Sequence, residues 1–137
     1  MKLLDDVQKF REMIVALIAS EVAVRTMNFK ASFPNGQCLN ASQMLAKYLS
    51  ENGCENVQVM SGTCPKLGSH AWVEVGKLIV DITADQYEKF GYPSVFIGEN
   101  SRLHSNFSVK PSFQQTVGGD LVQTYLQVLK FENITCT

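Results

Sequence analysis

The sequence predicts an α+β domain, with helices at both ends around an antiparallel sheet. Three observations predict it. Apolar residues recur at helical spacing near the N-terminus, the pattern switches to alternation after residue 56, and helical spacing returns after residue 120. Hydrophobic residues make up 45% and charged residues 18% of the 137 positions, a composition that supports a packed core. The length is that of one domain, taken as residues 1–137, and a chain of this size buries roughly two thirds of its unfolded surface without needing disulfides.

Residues 2 to about 28 read as one long amphipathic helix, with Leu3, Val7, Phe10, Ile14, Leu17 and Ile18 on one stripe and Asp5 and Asp6 in the first turn. The segment 30–37, KASFPNGQ, reads as a loop, since Pro34 disfavours helix at Phe33 and Asn35-Gly36 is turn-forming. A second helix is expected from Cys38 to about Asn52, stopped by Gly53, with Ala41, Met44, Leu45, Tyr48 and Leu49 facing inward.

Strands follow at 57–63, 70–75 and 78–83, the last two joined by a tight turn at Gly76-Lys77. A short helix at 84–90, a strand at 94–98, a polar irregular stretch over 99–119 and a final helix over 121–131 complete the chain.

The formal net charge is -1 and the pI about 6.1, which argues against a nucleic-acid partner. The N-terminus carries Lys2, Asp5 and Asp6 rather than a continuous apolar run, and Met13–Ala19 is too short to span a bilayer. A cytoplasmic location without a membrane partner is the expectation; export without a cleaved signal would look the same. Oligomeric state does not follow from the sequence. The cysteines at 38, 54, 64 and 136 fit no zinc spacing and read as free thiols, so neither a metal nor a cofactor is expected. The Asn-x-Ser/Thr triplets at Asn40, Asn106 and Asn133 read as chance.

The hairpin holds the chemistry. With Gly76-Lys77 as a two-residue turn, Val75 opposes Leu78, Glu74 opposes Ile79 and Trp72 opposes Asp81. Alternation then puts Ala71, Val73, Val75, Leu78, Val80 and Ile82 on one apolar face. The other face carries His70, Trp72, Glu74, Ile79, Asp81 and Thr83, with Asp81 diagonal to His70 at roughly 7–8 Å, within side-chain reach. A carboxylate so placed holds a histidine in one tautomer and stabilises its charged form. A structural His–Asp bond is the plainer reading of that pair alone.

Cys38 adds to it. The thiol falls at the predicted start of a helix, where unpaired N–H groups and the positive dipole end favour a thiolate. Cys54 follows a helix end, Cys64 precedes Pro65, and Cys136 lies in a terminal tail. His104, in SRLHSNF, has no paired carboxylate in sequence and reads as a surface or core polar residue; Glu74 reads as a salt-bridge partner.

The set GQC at 36–38, HAWVEV at 70–75 and VDIT at 80–83 resembles the core of the transglutaminase-like superfamily of papain-related cysteine enzymes, over residues 36 to 83. The resemblance implies a papain/transglutaminase-like core and a catalytic triad of Cys38, His70 and Asp81. It implies a thioester acyl-enzyme formed from an amide, either a peptide bond or a Gln side chain of a protein or peptide. The activity would be that of a peptidase, glutamine deamidase or transglutaminase. Gln37 and Trp72 become the candidate side-chain donors to an oxyanion, because the papain-like Gln position six before Cys38 is Ser32. The alternative is a non-catalytic protein-binding module of the same fold; a redox protein is disfavoured by the absence of a C-x-x-C pair.

Overall fold

A computed structural model describes residues 2–26, 28–111 and 118–133; Cys136 and part of the predicted irregular stretch lie outside them. Helix α1 spans Lys2–Ala19, one short turn α2 spans Phe29–Ser32, and α3 spans Cys38–Glu51. The strands are β1 (Val57–Cys64), β2 (Gly68–Val75), β3 (Leu78–Asp81), β4 (Phe96–Gly98) and β5 (Ser108–Pro111), and the last helix is α4 (Asp120–Leu129). The strands form one antiparallel sheet in the order β4-β3-β2-β1-β5. Among the described residues no helix is long and apolar enough to cross a membrane.

Helix α3 packs on β1 and β2, and α1 and α4 pack on α3. Val7, Phe10, Ile14 and Leu17 of α1 meet Met44, Leu45 and Leu49 of α3 over Val59, Val73 and Val80 of the sheet, all buried. Each such side chain contributes roughly 1.5–3 kcal/mol by leaving water. The predicted apolar face of the hairpin lies here, and its register is the expected one: Val75 opposite Leu78, Glu74 opposite Ile79, Val73 opposite Val80. Gly76 allows the turn because its φ of 59° is open to glycine.

The first helix is shorter than its apolar pattern predicts. Ser20 ends it: its Oγ donates to the Leu17 carbonyl at 2.6 Å and accepts from Val22 N–H at 3.2 Å, so the hydroxyl replaces the next helical bonds. Lys30 Nζ then donates to the carbonyls of Ser20 and Val22 at 2.6 and 2.7 Å. The expected third strand likewise stops early, at Asp81, whose Oδ1 accepts the Thr83 N–H at 2.8 Å and pulls the chain into the 3-10 turn Ala84–Gln86.

The irregular stretch contains structure its composition hides. A 3-10 turn spans His104–Asn106, and β5 pairs antiparallel with β1, Gly62 opposite Val109. Residues 84–107 therefore cover the second face of the hairpin. Trp72, Ala84, Leu103 and Phe107 form a separate buried cluster there. The polar face of the hairpin is thus an interior.

Candidate functional site

His70 lies on β2 and Asp81 ends β3, both almost fully buried. His70 Nε2 is 2.7 Å from Asp81 Oδ2. The same oxygen lies 2.6 Å from Nε2 of His104, at the head of its 3-10 turn. Thr83 holds the other oxygen, Oδ1, through its N–H at 2.8 Å and its hydroxyl at 3.2 Å. Burial pushes the Asp81 carboxyl up, but its bonds to His104 and His70 outweigh this and hold it well below the usual carboxylate range.

Aromatic rings seal the cluster. Tyr87 stands edge-on to His70 at 4.9 Å, Trp72 edge-on to His104 at 4.7 Å, and Phe96 stacks on His104 at 5.7 Å. Burial disfavours a charged His70, yet Asp81 and Cys38 together raise it to about 9. With Nε2 committed to Asp81, Nδ1 is the nitrogen left for other partners. The Gln86 amide meets it at 2.8 Å, presenting its NH2 to the neutral ring or its oxygen to the charged one.

Cys38 is the first residue of α3 and half-buried. Its sulfur lies within the electrostatic reach of His70 and of the backbone N–H of Ala71. Burial pushes this thiol up; the contacts with His70 and Ala71 more than offset it, and the net shift is downward. Cys54 goes the other way, pushed up by burial and by the charge of Asp6. Cys38 also lines an open cavity of about 410 Å³ with Gly36, Leu39, Ser69, Gln86 and Tyr87. On the far side, His104 lines another of about 610 Å³.

The expected triad needs correction. The sequence pairs Asp81 with one histidine; here two histidines share one of its oxygens, and the convergent buried cluster is His70–Asp81–His104, with no cysteine in it. The side-chain donors an amide-directed mechanism would use are also spent. Gln37 donates to Ser32 Oγ at 3.3 Å and accepts from Asn40 at 2.9 Å, and the Trp72 indole donates to Glu74 at 3.3 Å. No family model, curated protein or solved structure matches this chain. The transglutaminase-like resemblance, the thioester amide chemistry, the thiol hydrolase or acyltransferase class and the protease and deamidase readings are withdrawn on these grounds.

The three cluster atoms lie within 4.8 Å of one another and are of types that bind zinc or iron. An ion at about 2.1 Å from each, with right angles between them, would hold nitrogen and oxygen about 3 Å apart. The observed 2.6 and 2.7 Å are the distances of charge-assisted hydrogen bonds. The cluster is therefore organised around shared protons.

Three contributors escaped the sequence. His104 lies 23 residues beyond Asp81 with no periodic signal to place it, though Ser101 three residues earlier is a fitting local partner. Gln86 reaches back from the turn after β3. Arg11 holds that same turn from α1 through Asp85.

Proposed function

We propose that this chain is a reactive-thiol protein in which Cys38 is oxidised by a hydroperoxide and His70, oriented by Asp81, gives a proton to the leaving oxygen. The observation that carries the reading is the place of Cys38: on a cavity wall shared with Gln86 and Tyr87, at a helix start, with His70 near enough to favour its thiolate. A thiolate beside an imidazolium is a strong nucleophile at neutral pH.

In the step, the sulfur attacks the outer oxygen of R–O–O–H. The S–O bond forms as the O–O bond breaks, and the departing alkoxide takes the His70 proton and leaves as the alcohol. Cys38 becomes a sulfenic acid, sulfur losing two electrons and the peroxide gaining them. Charge appears on the leaving oxygen beside His70, so the reaction needs none of the oxyanion donors that Gln37 and Trp72 have committed elsewhere. Absence of a C-x-x-C pair counts against a dithiol cycle, not against oxidation of one thiolate, whose return requires an external thiol.

Treatment with hydrogen peroxide, trapping with a 1,3-dione and mass spectrometry of each cysteine tests the reading. Cys38 is expected to be tagged at least about tenfold faster than Cys54 near pH 6, and His70→Asn to remove that advantage. Equal, slow tagging of both cysteines overturns it.

A further inference from the structure

His104 is pinned more tightly than a packing ring needs to be. Its Nε2 faces Asp81 Oδ2 at 2.6 Å, and its Nδ1 lies 2.5 Å from Ser101 Oγ. Ser101 Oγ also accepts the His104 N–H at 3.1 Å and lies 2.8 Å from the Tyr92 hydroxyl, which accepts the Leu103 N–H at 3.2 Å. One ring face rests on Phe96. The ring thus has Nδ1 held by its own loop, Nε2 by Asp81 of β3 and one face by Phe96 of β4.

The consequence falls on Asp81. Thr83 holds Oδ1, while His70 and His104 both reach Oδ2, so the carboxylate has a partner on each side and cannot turn about its Cβ–Cγ bond without breaking several bonds. Without His104, Oδ2 would keep His70 alone. We propose that His104 is a positioning residue: by occupying the second lone pair of Asp81 Oδ2 it fixes the carboxylate, and through it the His70 ring that faces Cys38. The titratable groups around this thiol–imidazole pair are Asp81, Tyr87 and His104, with Cys64 next to Tyr87. The inference rests on reading Cys38 as the reactive thiol.

Its test uses His104→Phe, which keeps an aromatic ring without an N–H, and His104→Gln, whose amide N–H can reach Asp81. Circular dichroism establishes folding. The downfield proton resonance of His70 Nε2–H reports the Asp81 bond, and the pH profile of Cys38 alkylation reports the thiol. His104→Phe is expected to raise the alkylation midpoint by about one unit, a roughly tenfold slower reaction near pH 6, and to broaden or move the His70 resonance. His104→Gln is expected to restore both to within about twofold. A folded His104→Phe protein with the native profile and resonance overturns the proposal, as does a His104→Gln protein that behaves like the Phe variant. Should His104→Phe not fold, Ser101→Ala, which keeps the His104 ring but frees its Nδ1 together with the His104 N–H and the Tyr92 hydroxyl, is expected to shift the same two readouts in the same direction, and no shift overturns it. If native Cys38 alkylates no faster than Cys54, the thiol reading fails, while the His70 resonance still decides the positioning role.

Discussion

Arg11 on α1 grips Asp85, four residues past the end of β3, with two nitrogens on two carboxylate oxygens at 3.2 and 3.1 Å. The same guanidinium donates to the Ile82 and Ser94 carbonyls and lies over the Phe33 ring at 4.8 Å. A first helix that looked like packing alone therefore clamps the turn that carries Gln86 to His70. A planar fork fits this task and an ammonium does not. Arg11→Ala leaves Asp85 and two carbonyls unpaired in a half-buried site, and a loss of about 2–4 kcal/mol is expected in urea unfolding. Arg11→Lys should recover less than half of it. A loss under about 0.5 kcal/mol would mean the clamp does not hold the turn.

Gly62 on β1 makes room for β5. A Cβ there would lie 2.7 Å from the Ser108 carbonyl oxygen and 2.9 Å from Phe107 Cβ, contacts that backbone cannot absorb without moving. Phe107 touches the His70 ring face at 5.7 Å, so the strain reaches the site. Gly62→Ala is expected to destabilise by about 1–3 kcal/mol, as overpacking does. It should also speed amide exchange in residues 104–110 relative to α3. Native exchange rates in that segment would show that β5 adjusts freely.

Asp81 is a buried carboxylate held by two histidines and by Thr83. Asp81→Asn keeps the shape but removes the charge that two histidines and Thr83 address, a change worth about 3–5 kcal/mol for a broken buried network. Thr83→Ala, which removes only the hydroxyl contact to Oδ1, should cost about 1 kcal/mol. Chemical denaturation of both variants measures the ratio. Near-equal losses would mean that the carboxylate charge contributes little.

Local pattern carried most of the architecture. The α3 start at Cys38, its stop before Gly53 and the register around Gly76-Lys77 follow from helix-end and hairpin chemistry, which act over a few residues. The same register put His70 and Asp81 on one face. What stayed hidden depends on distance along the chain. Ser20 cuts α1 short by a hydroxyl bond that competes with an otherwise helical pattern. The strand β5 is four residues whose Val109 is exposed, so no buried apolar pattern marks it and only its pairing with β1 defines it. His104 joins Asp81 because β4 and the turn after it fold back over the hairpin, and no spacing rule encodes that return. The family reading failed at this point: three short motifs agreed locally while the rest of the site was built by residues beyond them.

The paired shifts of His70 and Cys38 make a prediction about stability and pH. His70 is raised to about 9, so taken alone it stabilises the fold fully below its unfolded pKa of about 6.5, and that contribution drains away as pH rises through about 9. Cys38 is lowered, so taken alone its contribution is full only above the unfolded thiol pKa of about 8.5 and is lost as pH falls. The two shifts oppose each other, because folding favours a proton on the imidazole and disfavours one on the thiol. The native protein should therefore show a shallower slope from this pair between about pH 6.5 and 8.5 than His70 alone would give. Cys38→Ser removes the thiol but leaves Asp81 to raise His70. Folding then takes up a proton, and the unfolding free energy should fall by up to about 1.4 kcal/mol per pH unit across the lower part of that window. Urea titrations at a series of pH values compare the two proteins. Parallel curves would mean that Cys38 keeps its proton in the folded state, and the thiolate–imidazolium pair would have to be abandoned.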